Sequence, residues 1–523
     1  MHDTLCSYYT DSDDITNYMA SMLEVNDGDV ILEPSAGSGL FIDELLRTNK
    51  TVHIDGLDID KKAIAILKEK YKNNPSVNIR ETDTLFDREL DKFQQTVLLL
   101  KNTDTLFDEE LDFFESVGGH YSKVIGNPPY GAWQDYEKRD LLKKKYIDQY
   151  VKETYSLFLL RCISVLKMHG KLSFIIPDTF MFLNLHHKLR SFLLTKSKIS
   201  EILIFPSKFF PGVSFGYSNL SIITLERTDK KSALENEIKI YKGFKNSSEF
   251  ALLHSSENKL PKYIESYTLK QDDILKTSQH RFILAEKSEN TIIVNSEKTL
   301  GDVADIVTGF YSGDNTRFIR VKDKSVKGSK NYDVVDTDKI SNEKSLYGIE
   351  NMQEAYIPYV KSSSKTKYAK DDDEWFVRWD KETVKYYNSN KKSRFQNSSF
   401  YFRKGICIPM VKSSSINAFL MENKVFDQSI VGIFPRDENK MLYVLGLMNS
   451  DVINKIIHII NPTANNSSNY IKQIPYKEPC EQKLIEISDL VKEALLLTRN
   501  HNLNELSSIH KKINSYFTEI YAA

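Results

Sequence analysis

Val30-Ile31-Leu32-Glu33-Pro34-Ser35-Ala36-Gly37-Ser38-Gly39 is the stretch on which the fold is decided. A short apolar run ends in an acid and breaks into a turn of proline, small residues and two glycines. Apolar residues then recur at helical spacing from about Leu40 to Leu46. Strand, glycine-bearing turn and helix in that order open a doubly wound α/β sheet. Glycines at this point let the backbone approach a ligand just before a helix N-terminus. The spacing is not the GxGxxG of dinucleotide folds; an acid followed by Gly-x-Gly suits an amino-acid-bearing nucleoside. Glu33 is read as organising the turn, with Ser35, Gly37 and Gly39 on the ligand side.

The pattern continues in both directions. Ile15–Leu23 reads as a helix, Val52–Leu57 as the next strand and Lys61–Tyr71 as its helix. Ser122–Ile125, Lys171–Ile176, Ile202–Phe205 and Leu220–Leu225 read as further strands, and Tyr155–Leu166 as a helix. Such alternation predicts a mainly parallel sheet covered on both faces. Asp58 closes the second strand, where an acid can hold a ribose diol by charge-assisted hydrogen bonds. Ile59 follows it, and Asp60 suits a helix N-terminus. After the third strand, Val77-Asn78-Ile79, Asp83 is the economical candidate for recognising an adenine amino group. An internal duplication complicates this: Thr82-Asp83-Thr84-Leu85-Phe86-Asp87 recurs as Thr103-Asp104-Thr105-Leu106-Phe107-Asp108. Val97–Leu100 followed by Asp104 is therefore the alternative, and Asp83 is preferred.

The fourth strand ends in Asn127-Pro128-Pro129-Tyr130. Two prolines fix φ and hold Asn127 extended, which makes a rigid hook of the Asn127 side-chain oxygen and the Pro128 carbonyl. An exocyclic amine on an aromatic ring is a poor nucleophile because its lone pair is delocalised. Two acceptors on its hydrogens draw the nitrogen toward tetrahedral geometry, and Tyr130 offers a flat face to the ring.

With this tetrapeptide behind a glycine turn and an acid, residues 1–226 resemble the gamma group of DNA adenine-N6 methyltransferases of restriction–modification systems. The resemblance implies a seven-stranded S-adenosylmethionine-dependent methyltransferase domain followed by an irregular α/β target-recognition domain. Tyr9 and Thr10 resemble the group's opening motif, which covers the cofactor. Tyr155-Ser156-Leu157-Phe158-Leu159 and His169–Pro177 resemble the segments that line the target pocket. Lys208-Phe209-Phe210-Pro211-Gly212-Val213 resembles the hairpin whose aromatic stacks on a flipped base; Phe210 and Phe215 are the two candidates. The implied cofactor ligands are Tyr9, Thr10, Glu33, Ser35, Gly37, Gly39, Asp58, Ile59, Asp83 or Asp104, and Asn127. The implied partners are double-stranded DNA and a cognate restriction endonuclease acting on the same site; no metal is expected. The same tetrapeptide serves methyltransferases of RNA and of protein glutamine, and a type IIG-like component is a further alternative. A DNA-binding module with a degenerate cofactor pocket is the rival from another class.

The rest of the chain bears on the partner. With 523 residues it is too long for one core. Domains are expected at 1–228 (catalytic), 240–480 (target recognition) and 481–523 (a helical tail), joined through a linker near Thr228–Glu237. The formal charge is -1, but residues 1–115 are acidic and 317–412 carry a basic surplus, which suits a polyanion grip in the second half. Lys361, Lys365, Lys367, Lys391, Lys392, Arg394, Arg403, Lys404 and Lys412 are the candidate DNA contacts, and Thr308–Asn315 resembles the start of a recognition domain. Asp371-Asp372-Asp373-Glu374 reads as a solvated loop. Cys6, Cys162, Cys407 and Cys480 form no CxxC pair, which argues against a disulfide framework and a zinc site. There is no leader and no apolar run of about 18 residues, so a cytoplasmic protein without membrane contact is expected.

Overall fold

The computed structural model describes residues 12–48, 50–93, 119–131, 136–209, 219–254, 260–284, 298–370, 373–411, 416–461 and 466–522. The chain divides into two compact units, Met1–Leu284 and Ala285–Ala523.

In the first unit the strands fall where apolar runs predict them. They are β1 (Val30–Glu33), β2 (His53–Asp58), β3 (Val77–Glu81), β4 (Tyr121–Gly126), β5 (Leu166–Pro177), β6 (Ser197–Pro206) and β7 (Asn219–Arg227). Two more follow, β8 (Glu237–Lys242) and β9 (Glu265–Lys270). The sheet runs β3-β2-β1-β4-β5-β7-β6-β8-β9. β1 to β5 are parallel, with Val30 opposite His53 and Gly126 opposite Phe174, and β7 is antiparallel to both β5 and β6. The doubly wound sheet is present, with nine strands among the described residues where seven were expected.

Strand order reverses at β1 and β4, which pair with each other. In such sheets the crevice beyond the carboxyl ends at the reversal is where ligands bind. Buried Leu32, Ile54, Val124, Ile125 and Phe174 hold the sheet between its helices, because strands covered on both faces are apolar nearly throughout.

The linker expected near Thr228–Glu237 is a structured part of this unit. Asp229 accepts from the backbone N–H of Ser232 at 2.8 Å and starts the helix Lys230–Leu234. The Asn236 amide donates to the carbonyl of Ile199 at 2.7 Å, and β8 pairs with β6. The first unit therefore runs on to Leu284, well past residue 228.

The second unit has two four-stranded sheets among its described residues. One has the order β10 (Ala304–Thr308), β17 (Ile430–Pro435), β14 (Gly405–Pro409), β15 (Phe419–Met421). The other runs β11 (Ile319–Val321), β13 (Trp375–Arg378), β12 (Tyr356–Val360), β16 (Val425–Phe426). Its aromatic core gathers Phe310, Trp379, Tyr387, Tyr401 and Phe426. The two last helices, Glu481–Arg499 and Leu503–Ala522, are part of this unit's core rather than a separate tail: Ile487, Val491, Ile513 and Phe517 are buried with Tyr443 and Leu447.

Candidate active site

The loops at the carboxyl ends of β1 to β5 converge. After β1, Gly37 and Gly39 have φ of +51° and +80°. A side chain at Gly39 would be strained by this φ and would bring its Cβ 2.7 Å from Leu67 Cδ2 and 2.8 Å from the Tyr71 hydroxyl, so that both side chains would have to shift. Asp58 at the end of β2 braces this turn. Its carboxylate accepts from the backbone N–H of Gly37 and of Asp60, each at 2.8 Å. Beside it Ile59 is an apolar side chain left 43% exposed. Glu33 is 1% exposed, and its Oε2 has no hydrogen-bond partner. Burial, with Asp58 and Asp43 nearby, pushes its carboxyl well above the usual carboxylate range.

The β3 loop is tied to the β1 loop, the Thr84 hydroxyl donating to the carbonyl of Pro34 at 2.6 Å. Asp83 sits on this loop. Its Oδ1 accepts from the Leu85 N–H at 3.1 Å and its Oδ2 meets Lys138 Nζ at 2.8 Å.

Asn127 directly succeeds β4. The Ser35 hydroxyl donates to its carbonyl at 3.1 Å, so the glycine turn and the Asn-Pro-Pro-Tyr segment are in contact across the crevice. The Tyr130 hydroxyl donates to Asn127 Oδ1 at 2.5 Å, and the Tyr130 side chain is 1% exposed. Thr154, first residue of the helix Thr154–Val165, donates from its hydroxyl to the carbonyl of Pro129 at 2.6 Å. Beyond β5, Asp178 accepts from the Asn219 amide at 3.2 Å, and burial raises its carboxyl to about 6.

The structure thus brings Ser35, Gly37, Gly39, Asp58, Asp83 and Asn127 to one edge of one sheet, with Glu33 beneath the turn. Tyr9, Thr10, Asp104, Phe210, Phe215 and Lys412 lie outside the described residues. Thr154, Lys138 and Arg161 were not among the expected site residues. Arg161 alone left a signal in the sequence, a cation inside the apolar stripe 155–166; it is fully buried and its Nη2 donates to the carbonyl of Asp87 at 2.6 Å.

Among the basic candidates of the second unit, Lys365, Lys391, Lys392, Arg394, Arg403 and Lys404 are exposed. Lys367 and Lys361 are not open to a polyanion. Lys367 donates to the carbonyl of Asn449 at 2.8 Å and lies 2.9 Å from His510 Nε2. Lys361 faces Asp427 and lies over the rings of Tyr332 and Trp375. Thr308–Asn315 is a clamp: Ser393 donates from its hydroxyl to the carbonyl of Ser312 at 2.9 Å, and Gln396 to that of Gly309 at 2.9 Å. It presents the exposed segment Lys391–Arg394. Asp373 and Glu374 are ion-paired to Lys424 and Lys370. No cluster of described residues has three metal-ligating side chains. No helix among them is long and apolar enough to cross a membrane.

Comparison with known proteins fits this geometry. The Eco57I restriction-modification methylase family matches residues 52–210, a stretch that contains β2 through β6 and the Asn-Pro-Pro-Tyr segment. Over that stretch the chain is similar to restriction–modification methylases. Type II methyltransferase M.HincII of Haemophilus influenzae is 28% identical to it over 240 residues, 43% of this chain and 40% of that protein. Type II methyltransferase M.AccI of Acinetobacter calcoaceticus is 21% identical over 296 residues, 55% of this chain and 48% of that one. The chain thus spans less than half the length of these relatives. In fold it resembles a nuclease-deletion mutant of the Type ISP restriction-modification enzyme LlaGI, solved with a DNA substrate mimic. That likeness has a TM-score of 0.57 at 14% identity, over 94% of this chain and 55% of that one.

Proposed function

We propose that the protein transfers a methyl group from S-adenosylmethionine to N6 of an adenine rotated out of a specific double-stranded DNA sequence. The observation that carries the reading is the contact of the glycine turn with the Asn-Pro-Pro-Tyr segment through Ser35 and Asn127. A cofactor turn and an amine-holding hook at one crevice are what methylation of an exocyclic amine requires.

The residues present fit the cofactor. Gly37 and Gly39, both at positive φ, shape the turn after β1, with Leu67 and Tyr71 packed against Gly39. Asp58 is an acid at the end of β2, Ile59 beside it is an exposed apolar side chain of the kind that suits an adenine ring, and Glu33 Oε2 is a buried oxygen without a hydrogen-bond partner. Bound there, S-adenosylmethionine supplies an electrophilic methyl group on its sulfonium. The chain's own part is to hold the acceptor. Asn127 Oδ1 and the Pro128 carbonyl accept the two amine hydrogens, which localises the nitrogen lone pair. Thr154 fixes the backbone of the hook through the Pro129 carbonyl. Positioning and fixed dipoles carry the rate, and no strong base is needed.

A nucleic acid is favoured over protein as the acceptor by exposed Lys391, Lys392 and Arg394 in the second unit, which suit a phosphate backbone; adenine is what the resemblance of the Asn-Pro-Pro-Tyr segment implies. The companion is a restriction endonuclease acting on the same site. A second reading, as the modification part of a combined enzyme, is supported by 26% identity over 272 residues to the Type II restriction enzyme and methyltransferase RM.Eco57I of Escherichia coli.

The test is transfer of labelled methyl to duplex DNA, with the product nucleoside identified by mass. N6-methyladenine formed by the wild type and lost in Asn127→Ala is the expected result. Label found only on RNA or protein, or full activity in Asn127→Ala, defeats the proposal. DNA cleavage by the same preparation would favour the combined enzyme.

A further inference from the structure

The helix Tyr136–Lys145 comes soon after the Asn-Pro-Pro-Tyr segment in the chain, and no sequence motif gives it a role. Lys138 and Lys145 stand seven positions apart, two turns of helix, and so share a face. Both reach the loop and helix that succeed β3. Lys138 Nζ lies 2.8 Å from Asp83 Oδ2 and Lys145 Nζ 2.8 Å from Asp91 Oδ1. Lys145 also sits 5.6 Å above the ring of Phe86. The buried Tyr146 donates its hydroxyl to the carbonyl of Leu85 at 3.1 Å. The helix therefore lies along residues 83–91, and it meets at one end the acid read as the acceptor for the cofactor's adenine amine.

Asp83 is held from two sides. Its own turn supplies the Leu85 N–H to Oδ1, and Lys138 supplies the ammonium to Oδ2. With side-chain exposures of 32% for Lys138 and 23% for Asp83, the pair is half-buried and still open to a ligand. A carboxylate oxygen accepts two hydrogen bonds, so Oδ2 can serve Lys138 and an amine together.

We propose that Lys138 is a positioning residue of the cofactor site, holding the Asp83 carboxylate in the orientation that receives the adenine amino group. The inference rests on the methyltransferase reading. An acceptor already fixed by a second contact loses less freedom when the ligand arrives. Lys145 does different work: its partner is Asp91, which also pairs with Arg161 Nη1 at 2.6 Å, so it docks the helix without touching Asp83.

Calorimetry on the full chain with two ligands tests this: S-adenosylhomocysteine and its inosine counterpart, in which a carbonyl oxygen replaces the amino group. The wild type binds the adenosine form more tightly. Lys138→Met weakens the adenosine form by about fivefold and leaves the inosine form unchanged, so the preference shrinks, while Lys138→Arg keeps it. Lys145→Met lowers the melting temperature and leaves the preference at its wild-type value, which separates docking of the helix from orientation of Asp83. Should Lys138→Met not fold, Lys138→Gln is read against the same pair. An unchanged preference in the Lys138 variant overturns the proposal, and so does tighter binding of the adenosine form, which would make Lys138 a competitor. A wild type that binds neither ligand defeats the methyltransferase reading itself.

Discussion

At Asn127 the acceptor oxygen already has a donor, the Tyr130 hydroxyl at 2.5 Å. An incoming amine needs the same oxygen, which has two lone pairs and so can take both donors. Tyr130→Phe removes the hydroxyl donor and keeps the ring, whereas Tyr130→Ala removes the ring as well. We expect turnover within about threefold of wild type for phenylalanine and a loss on the order of a hundredfold for alanine, the scale of a misplaced reacting group, read by steady-state methylation. A large loss in Tyr130→Phe would mean that the hydroxyl itself takes part. Gly39 makes a second residue-level case. Its φ of +80° and the 2.7 Å approach to Leu67 Cδ2 mean that Gly39→Ala should cost roughly 1–3 kcal/mol in a denaturant titration, with cofactor affinity falling alongside. Such residues were legible because glycine, proline and strand-end acids carry backbone meaning on their face. Lys138 was not, since a lysine in a Glu-Lys-Arg-Asp run reads as solvent-facing and only the fold shows which acid it meets.

Among elements, the misses have a common cause. In β8 the sequence alternates Glu237, Ile238, Lys239, Ile240, and only the two isoleucines are fully buried. Strands near a sheet edge carry charges that discourage further pairing, so their composition imitates a linker. β1 and β4, buried on both faces, had no such disguise. The neighbouring β6 carries a buried acid with a measurable consequence. Glu201 accepts from the Tyr18 hydroxyl of helix Asp13–Met22, with His254 Nε2 at 3.6 Å and Lys239 on β8 nearby. Burial raises its carboxyl from 4.5 to about 7 despite Lys239. The folded state thus holds the proton more tightly than the unfolded chain. The stability this gives is complete below the ordinary carboxylate range and is lost as pH rises through about 7. Glu201→Gln should lessen this slope, so that urea midpoints at pH 5.5 and 8 lie closer together for the variant than for wild type, the remainder coming from groups such as Asp178 and Glu33. Equal slopes in the two proteins would show that Glu201 does not titrate in this range.

For the whole molecule, the basic surplus of residues 317–412 was legible as a total, but its division between core and surface was not. A lysine inside an ion-pair network and a lysine facing solvent look alike in sequence. Lys361 and Lys367 are engaged within the second unit, whereas Lys391, Lys392 and Arg394 are exposed on a segment clamped by Ser393 and Gln396. If that segment grips phosphates, each cation releases about one counterion on binding, and the slope of log K against log salt changes by about 0.9 per contact. The triple variant Lys391→Ala, Lys392→Ala, Arg394→Ala should therefore flatten the salt dependence of DNA binding by about 2 to 3 units and leave cofactor affinity and the melting temperature unchanged. Lys367→Met should do the reverse. It takes the Lys367 ammonium from the Asn449 carbonyl and from His510, which keeps Asn514 and Tyr368 as partners, and this lowers stability by roughly 1–3 kcal/mol with the salt slope intact. Fluorescence anisotropy on a labelled duplex from about 50 to 200 mM salt separates the two. A slope that moves with Lys367 and not with the Lys391–Arg394 segment would place the DNA on a different face of the second unit.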